Sequence, residues 1–538
     1  MSSYIKKEKR AELVDWLAGE CFSYKFSYYT LHLAITIMDK YLFAKYKKRT
    51  NFEEIAAVCL VLASKMEEIK FIDLGLMSEN IKTSYDELLQ LEEEILKCLH
   101  FNLCQDTIVT HFFVDDFITS NDYYFACYIA SVVLLDFDSV HLNPTLSALK
   151  IKKFCENIKY NLVSIDDWYI EEPMYSFCHY YWEQSNISNN NIKKFFDIEK
   201  YNVSNIQCTQ INIKNNEIIN YNNNDKIKKI KLNNNNPLNN KIILYSNEAM
   251  KKATVCKYLG KGAFATVRHI KIGNRDIAYK KFSFDNNGRK IGIDFHILRE
   301  INAFMKLNHP NIIQMDGCYF NSSKKKIGIG LELMDRTLYD TIQFSPNSKT
   351  IKEMYILQLL NGLKYMHDNQ IMHRDLSVWN ILVKENKLKI SDMGASRFFR
   401  DEKHPIPFSN GVCVLYFRPI EILLGKTPYC SKIDIWSCAC VIAFILQKNF
   451  LFSASNEKTM VDDIFEMLGT PTEGEICQWP GFNSAFTKWT RKGIINLDNN
   501  YPEEVDIIYK MLEYLPEKRI DINESLKLFS NLYIANSN

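Results

Sequence analysis

Apolar residues recur every three to four positions through the first third of the chain. Examples are Leu13 and Val14 with Leu17, Leu31 with Ile35, Met38 and Leu42, and Ile55 with Val58, Cys59, Val61 and Leu62. That spacing lines one stripe of a helix. Pro and Gly are nearly absent there, so residues 8 to about 180 predict consecutive helices of moderate length, an all-α region. From about Asn186 to Asn247 the pattern lapses into Asn, Lys and Ile, with runs at Asn222–Asn224 and Asn233–Asn236 before Pro237. Large apolar anchors are few there, which predicts a flexible linker. Beyond it a strand-like segment, Asp276–Lys280, precedes a helical stretch, so strands and helices alternate in the second half.

Composition narrows the class. A chain of 538 residues is long for one domain. Basic and acidic residues nearly balance, 66 against 64, which gives no electrostatic reason to expect nucleic-acid or membrane binding. No apolar run approaches the roughly 18–20 residues needed to cross a bilayer, and Met1–Lys7 lacks the apolar core of a signal peptide. Fifteen cysteines without a C-x-x-C pair suit a reducing compartment. The expected location is intracellular, cytoplasmic and/or nuclear. The run Lys226–Lys231 reads either as a nuclear address or as solvated linker.

Candidate chemistry lies between Leu259 and Arg519. In order come Gly260-Lys261-Gly262, Lys280, Glu300, His373-Arg374-Asp375, Asn380, Asp392-Met393-Gly394, Glu421, Asp434 and Arg519. Each motif alone has an ordinary structural reading, a hairpin or a surface turn. The ordered set matches what phosphoryl transfer from ATP requires. A Gly-rich turn admits phosphates to backbone N–H groups, a lysine neutralises them, and a glutamate holds that lysine. Carboxylate and amide oxygens hold Mg²⁺, and an aspartate orients and deprotonates the attacking hydroxyl.

Residues 252–535 therefore resemble a protein kinase. They are similar more narrowly to a cyclin-dependent kinase, through Asp294–Glu300, Leu307–Asn311, Glu421–Gly425, Lys432–Ser437 and Leu468–Pro471. The resemblance implies a bilobal α+β fold, with an N-lobe at 251–335 and a C-lobe at 336–535. It implies ATP and Mg²⁺ as cofactors and Asp375, Lys280, Asn380 and Asp392 as catalytic residues, with Asn380 and Asp392 on the metal. Nucleotide contacts would come from Gly260, Lys261, Gly262, Ala263, Val267, Ala278, Lys280, Glu332, Met334, Asn380 and Asp392. Glu300 would close onto Lys280 when a partner pushes its helix inward. Ser409 stands at the place of an activating phosphorylation, and Arg299, Arg374 and Arg397 would receive that phosphate.

The helical region has its own resemblance. Lys9–Leu17, Thr30–Ile35, Asp39–Leu42 and Ala63–Ile69 resemble the first box of a mitotic-type cyclin, covering 4–110. A second, divergent box would occupy 111–185, and the linker 186–250. The resemblance implies a buried ion pair between Arg10 and Asp39, and kinase contacts from Lys65 and Glu92. On their own residues, Lys65 also reads as a surface lysine and Glu92 as part of an exposed acidic run. A linker of about 50 residues spans roughly 35–42 Å, so intramolecular cyclin–kinase pairing is within reach. The expectation is a serine/threonine kinase with its own cyclin and protein substrates. The alternative is a weakly active or non-catalytic decoy that binds foreign cyclins or kinases.

Departures sharpen both readings. Ala263 and Phe264 stand where related kinases carry inhibitory phosphorylation sites, and neither has a hydroxyl. Ser377 replaces a lysine two residues after Asp375, and Val414 replaces a threonine that would bond it. Cys413 and Val414 also lie in the loop expected to receive the residue after the target. On the cyclin side Lys9, Glu12 and Gly19 alter an apolar docking patch that keeps Leu13 and Trp16.

Overall fold

The computed structural model describes residues 7–45, 51–103, scattered positions from 107 to 152, 243–262, 265–282, 290–321, 326–345, 348–399, 408–409, 411–472, 474–483, 485–493 and 501–535. Almost all of the expected second helical box and the body of the linker lie outside these residues, as do Ala263 and Phe264. The chain divides into two compact units, residues 1–64 with 105–241 and residues 65–104 with 242–538.

In the first unit the helical stripe becomes α1 (Lys7–Tyr24), α2 (Tyr28–Lys45) and most of α3 (Phe52–Glu67). Leu13, Val14, Leu17, Ile35, Met38, Val58 and Leu62 are buried. The expected ion pair forms: Arg10 Nε and Nη2 donate to Asp39 Oδ1 and Oδ2 at 2.9 and 2.7 Å, tying α1 to α2. With Arg10 fully buried, this two-pronged geometry is what offsets its desolvation.

The second unit joins the last turn of α3, α4 (Leu74–Asn80) and α5 (Tyr85–Cys98) to everything after residue 242. Its sheet contains β1 (Ile243–Leu244), β2 (Thr254–Lys261), β3 (Ala265–Ile272), β4 (Arg275–Phe282), β5 (Met315–Asn321) and β6 (Lys326–Glu332), in the order β1-β5-β6-β4-β3-β2. Only β1 runs parallel to its neighbour. Residues 243–250, assigned by composition to the linker, are folded here as β1 and the start of α6 (Asn247–Lys252). Tyr245 supplies the anchor that Asn-rich composition hides. It is 6% exposed, and its hydroxyl donates to Asp316 Oδ2 at 2.5 Å.

Helix α7 (Phe295–Lys306) follows β4, capped by Asp294, whose carboxylate accepts the His296 N–H at 2.8 Å. The remainder is largely helical. It includes α8 (Leu338–Phe344), α9 (Lys349–Asp368), the short α10 (Ile420–Leu423), α11 (Lys432–Gln447), α12 (Glu457–Leu468), α13 (Pro502–Met511) and α14 (Ile522–Ala535). Helix α11 is buried on nearly every side. A bidentate pair of Arg519 with Glu421 at 2.8 and 3.0 Å, both fully buried, locks the end of the chain to α10.

Candidate active site

Strand alternation places Ala278 and Lys280 on one face of β4, and register sets Lys280 opposite Val267 of β3. Lys280 Nζ lies 2.7 and 3.0 Å from the two oxygens of Glu300 on α7, and 2.9 Å from Asp392 Oδ1. Burial works against the ammonium, but these two carboxylates outweigh it and hold Lys280 protonated above the ordinary lysine range. Burial pushes the Glu300 carboxyl up, with Lys280 opposing. Asp392 is also resisted by burial, yet Lys280 holds it below the usual carboxylate range. The pair that the sequence expects to close only when pushed is closed.

The loop His373–Asn380 is held from beneath. Asp434 on α11 accepts the backbone N–H groups of His373 and Arg374 at 2.8 and 2.9 Å. That fixes Arg374 at φ 67, a left-handed conformation non-glycine residues rarely adopt. His373 Nε2 lies 2.9 Å from the Ser391 carbonyl, joining this loop to the Asp392 segment. Asp375 is reached from two sides: Asn380 Nδ2 donates to its Oδ2 at 2.8 Å, and Val414 N–H to its Oδ1 at 2.9 Å. Where the sequence loses a threonine hydroxyl at 414, a backbone N–H reaches the aspartate. Burial raises the Asp375 carboxyl above its usual range. Ser377 is fully buried, and its hydroxyl has no hydrogen-bond partner.

The three arginines are divided in their contacts. Arg374 Nη2 donates to Ser409 Oγ at 2.9 Å. Arg299 and Arg397 instead reach the last turn of α3 and the residue just after it. Arg299 donates to the Glu68 carbonyl at 2.9 Å, and Arg397 to the Met66 and Glu68 carbonyls at 2.8 and 3.0 Å. The Nε of each is buried without a partner. Burial, then the charges of Arg397 and Arg374, push Arg299 well below the usual arginine range. Glu92 on α5 completes the contact. Its Oε1 lies 2.5 Å from Lys65 Nζ, and its Oε2 accepts the Ile293 N–H at 2.9 Å. Gly292 is required there: at φ +75, any Cβ would sit 2.5 Å from Glu92 Oε2. Lys65 serves this interface through Glu92. Asn302 Oδ1 accepts the Leu103 N–H at 2.7 Å, and Phe71 meets Phe295 at 4.9 Å between centroids.

Comparison with known proteins agrees with this geometry. A protein kinase domain matches residues 253–528, and a cyclin N-terminal domain matches residues 1–104. The chain belongs to the protein kinase family. Two proteins of Acanthamoeba polyphaga mimivirus, named as serine/threonine-protein kinases L673 and L670, are 30% and 33% identical to it. Each alignment covers 98% of this chain, with 98% and 94% of the relatives' own lengths. Cyclin-dependent kinase 11 of Dictyostelium discoideum is 34% identical over 50% of this chain and 77% of its own length. The chain is thus a fusion of a cyclin domain with a serine/threonine kinase of cyclin-dependent type, similar to kinases of a large DNA virus.

The donor set of this kinase fits ATP and Mg²⁺. Asn380 spends its Nδ2 on the carbonyl and carboxylate of Asp375, which leaves its amide oxygen for a metal. Asp392 spends Oδ1 on Lys280 and Gly394, and its side chain is 46% exposed. Two such oxygen ligands beside phosphates suit Mg²⁺, which when bound would neutralise charge on the transferring group. A Cβ on Gly260 would meet nothing within 4 Å, so the end of β2 is uncrowded at that residue. Lys261 ends β2, and Val267 and Ala278 lie on neighbouring strands. The Glu332 carboxylate is engaged, accepting from the Gln314 N–H at 2.9 Å and pairing with Lys389 at 2.7 Å, so a nucleotide would meet only its backbone. Met334 follows two residues on, half-buried. No described helix is long and apolar enough to cross a membrane.

Several participants gave no sequence signal. The carbonyls of Met66 and Glu68 and the Ile293 N–H are backbone groups that any residue offers. Tyr429 holds the Ser409 carbonyl at 2.7 Å and receives Arg374 Nε at 3.1 Å, and an isolated tyrosine carries no motif.

Proposed function

We propose that this chain transfers the γ-phosphate of ATP to serine or threonine hydroxyls of proteins without a separately supplied cyclin. Its own residues 65–104 hold α7 in the closed position. One observation carries the reading: Lys280 sits 2.7 Å from Glu300, while the same helix is gripped through Arg299 and its entry through the Ile293 N–H. In this reading Asp375 accepts the hydroxyl proton, Lys280 steadies the phosphates, and Asn380 and Asp392 hold the metal. Fixed charges placed in advance supply most of such a rate.

The residue after the acceptor would be proline. Cys413 takes φ 63, and its carbonyl already receives Arg418 Nη2 and Nε at 2.8 and 3.2 Å. It is therefore spoken for when a substrate N–H arrives there. A residue without that N–H leaves nothing unsatisfied.

A second reading, a non-catalytic decoy, is favoured by Ser377, which brings no cation to the site. The two readings separate in one assay. Purified full-length chain, Mg²⁺ and labelled ATP are offered peptides with Ser-Pro or Ser-Ala. Transfer to Ser-Pro peptide that disappears in Asp392→Asn supports catalysis, and equal background in both proteins supports the decoy.

A further inference from the structure

Trp379 stands between the catalytic aspartate and the metal-ligand asparagine, four residues after Asp375 and one before Asn380. It is 37% exposed, whereas Trp436 and Trp479 are buried. Other exposed rings, Phe43, Tyr258 and Phe344, lie elsewhere on the surface, whereas this indole opens to water in the loop that carries Asp375 and Asn380. The covered side of Trp379 is wholly aromatic in its ring contacts. Tyr339 of α8 stacks at 5.7 Å, Phe450 lies at 5.5 Å, Phe417 meets it edge-on at 5.9 Å, and Tyr416 lies at 6.4 Å. Those rings support one another: Tyr416 and Phe450 are 4.9 Å apart, and Phe444 and Phe450 5.1 Å. The Tyr339 N–H donates to the Val378 carbonyl at 3.1 Å, fixing α8 to the loop that carries Trp379. The indole is thus a rigid plate with no freedom to fold away.

Resting on the kinase reading above, we propose that Trp379, backed by Tyr339 and Phe450, receives a large apolar side chain of the substrate polypeptide, from a residue preceding the acceptor hydroxyl. The occupant is substrate because the plate is continuous with Asp375 and Asn380, where the acceptor must lie. It precedes the acceptor because the following residue meets Cys413 and Arg418. It is apolar because the acidic neighbour, Asp340, turns its carboxylate back onto Thr337 Oγ1 at 2.7 Å. Covering an apolar side chain on such a plate is worth about 1.5–2 kcal/mol, or roughly 10- to 30-fold in selection over alanine.

The test uses the full chain and a serine-peptide array in which each of the four positions before the acceptor is varied. Selection is read two ways: by phosphate transfer from ATP, and by fluorescence anisotropy of labelled peptides with a non-hydrolysable ATP analogue and Mg²⁺. The expected result is about tenfold or greater preference for Leu, Met or Phe over Ala at one upstream position. Trp379→Phe should retain it and Trp379→Gln should flatten it, with melting temperatures confirming folded proteins. No upstream apolar preference, a preference for arginine, or a preference that survives Trp379→Gln overturns the proposal. A chain that phosphorylates no peptide refutes the kinase reading, while the anisotropy arm still decides the apolar platform.

Discussion

Replacing Glu92 removes the carboxylate that joins α5 to the entry of α7. Lys65 and Glu92 are both fully buried, so Glu92→Ala strips a buried ammonium of its partner at 2.5 Å. Breaking such a pair from one side destabilises by about 3–5 kcal/mol. The Ile293 N–H, 2.9 Å from Glu92 Oε2, also loses its acceptor, a further loss of about 1–3 kcal/mol. Asp294 lies near enough to feel the Lys65 charge, which places the total toward the low end, about 4 kcal/mol. Glu92→Gln keeps an acceptor for Ile293 and should lose less. The consequence extends to the chemistry, because α7 carries Glu300 two turns beyond Ile293. Denaturant midpoints, hydrogen exchange over 290–306 and phosphate-transfer rates, measured on both variants, check the order wild type, Gln, Ala. Unchanged stability, exchange and rate in Glu92→Ala would refute the claim that this contact holds the pair closed.

Three further outcomes follow from the site. Burial lifts Asp375 above the ordinary aspartate range, and a base works only deprotonated. Activity should therefore fall on acidification at a higher pH than a free aspartate titrates, with no alkaline loss from Lys280, whose proton is held above the usual range; the pH profile of kcat/KM reads both limbs. Ser377→Lys with Val414→Thr returns a cation and its hydroxyl partner to the γ-phosphate, and should raise kcat by between about ten- and a thousandfold. An unchanged rate in the folded double variant would show that the loop works without them. Ser409→Ala removes the Oγ that Arg374 touches at 2.9 Å and the site of a phosphate able to engage the unpartnered Nε of Arg299 and Arg397. Phosphopeptide mapping should find Ser409 modified in active protein, and the alanine variant should lose about tenfold or more in rate.

The sequence is most legible where chemistry demands a particular side chain. Lys280, Glu300, Asp375, Asn380 and Asp392 could be read as a set because no other residue types do those jobs, and they converge. Arg10 and Asp39 could be paired only through the cyclin resemblance, since residues 29 apart give no local signal. What stayed hidden is backbone. The grip of Arg299 and Arg397 on the Met66 and Glu68 carbonyls depends on where a loop passes, and side-chain identity does not encode that path. Residues 243–245 were hidden for another reason. Their Asn-rich surroundings mask two apolar residues and a tyrosine, which suffice for a parallel edge strand. The role of Val414 inverted expectation, because a missing hydroxyl at 414 is met by an N–H that every non-proline residue has.

The central claim is that residues 65–104 of each chain hold that same chain's Lys280–Glu300 pair closed. The most direct measurement is phosphate transfer per molecule by purified full-length chain, with no cyclin added, across a thousandfold dilution series and with Asp392→Asn as the blank. Activity per molecule that stays constant on dilution is the predicted result. Activity that vanishes on dilution, or appears only when a free cyclin is supplied, would contradict it.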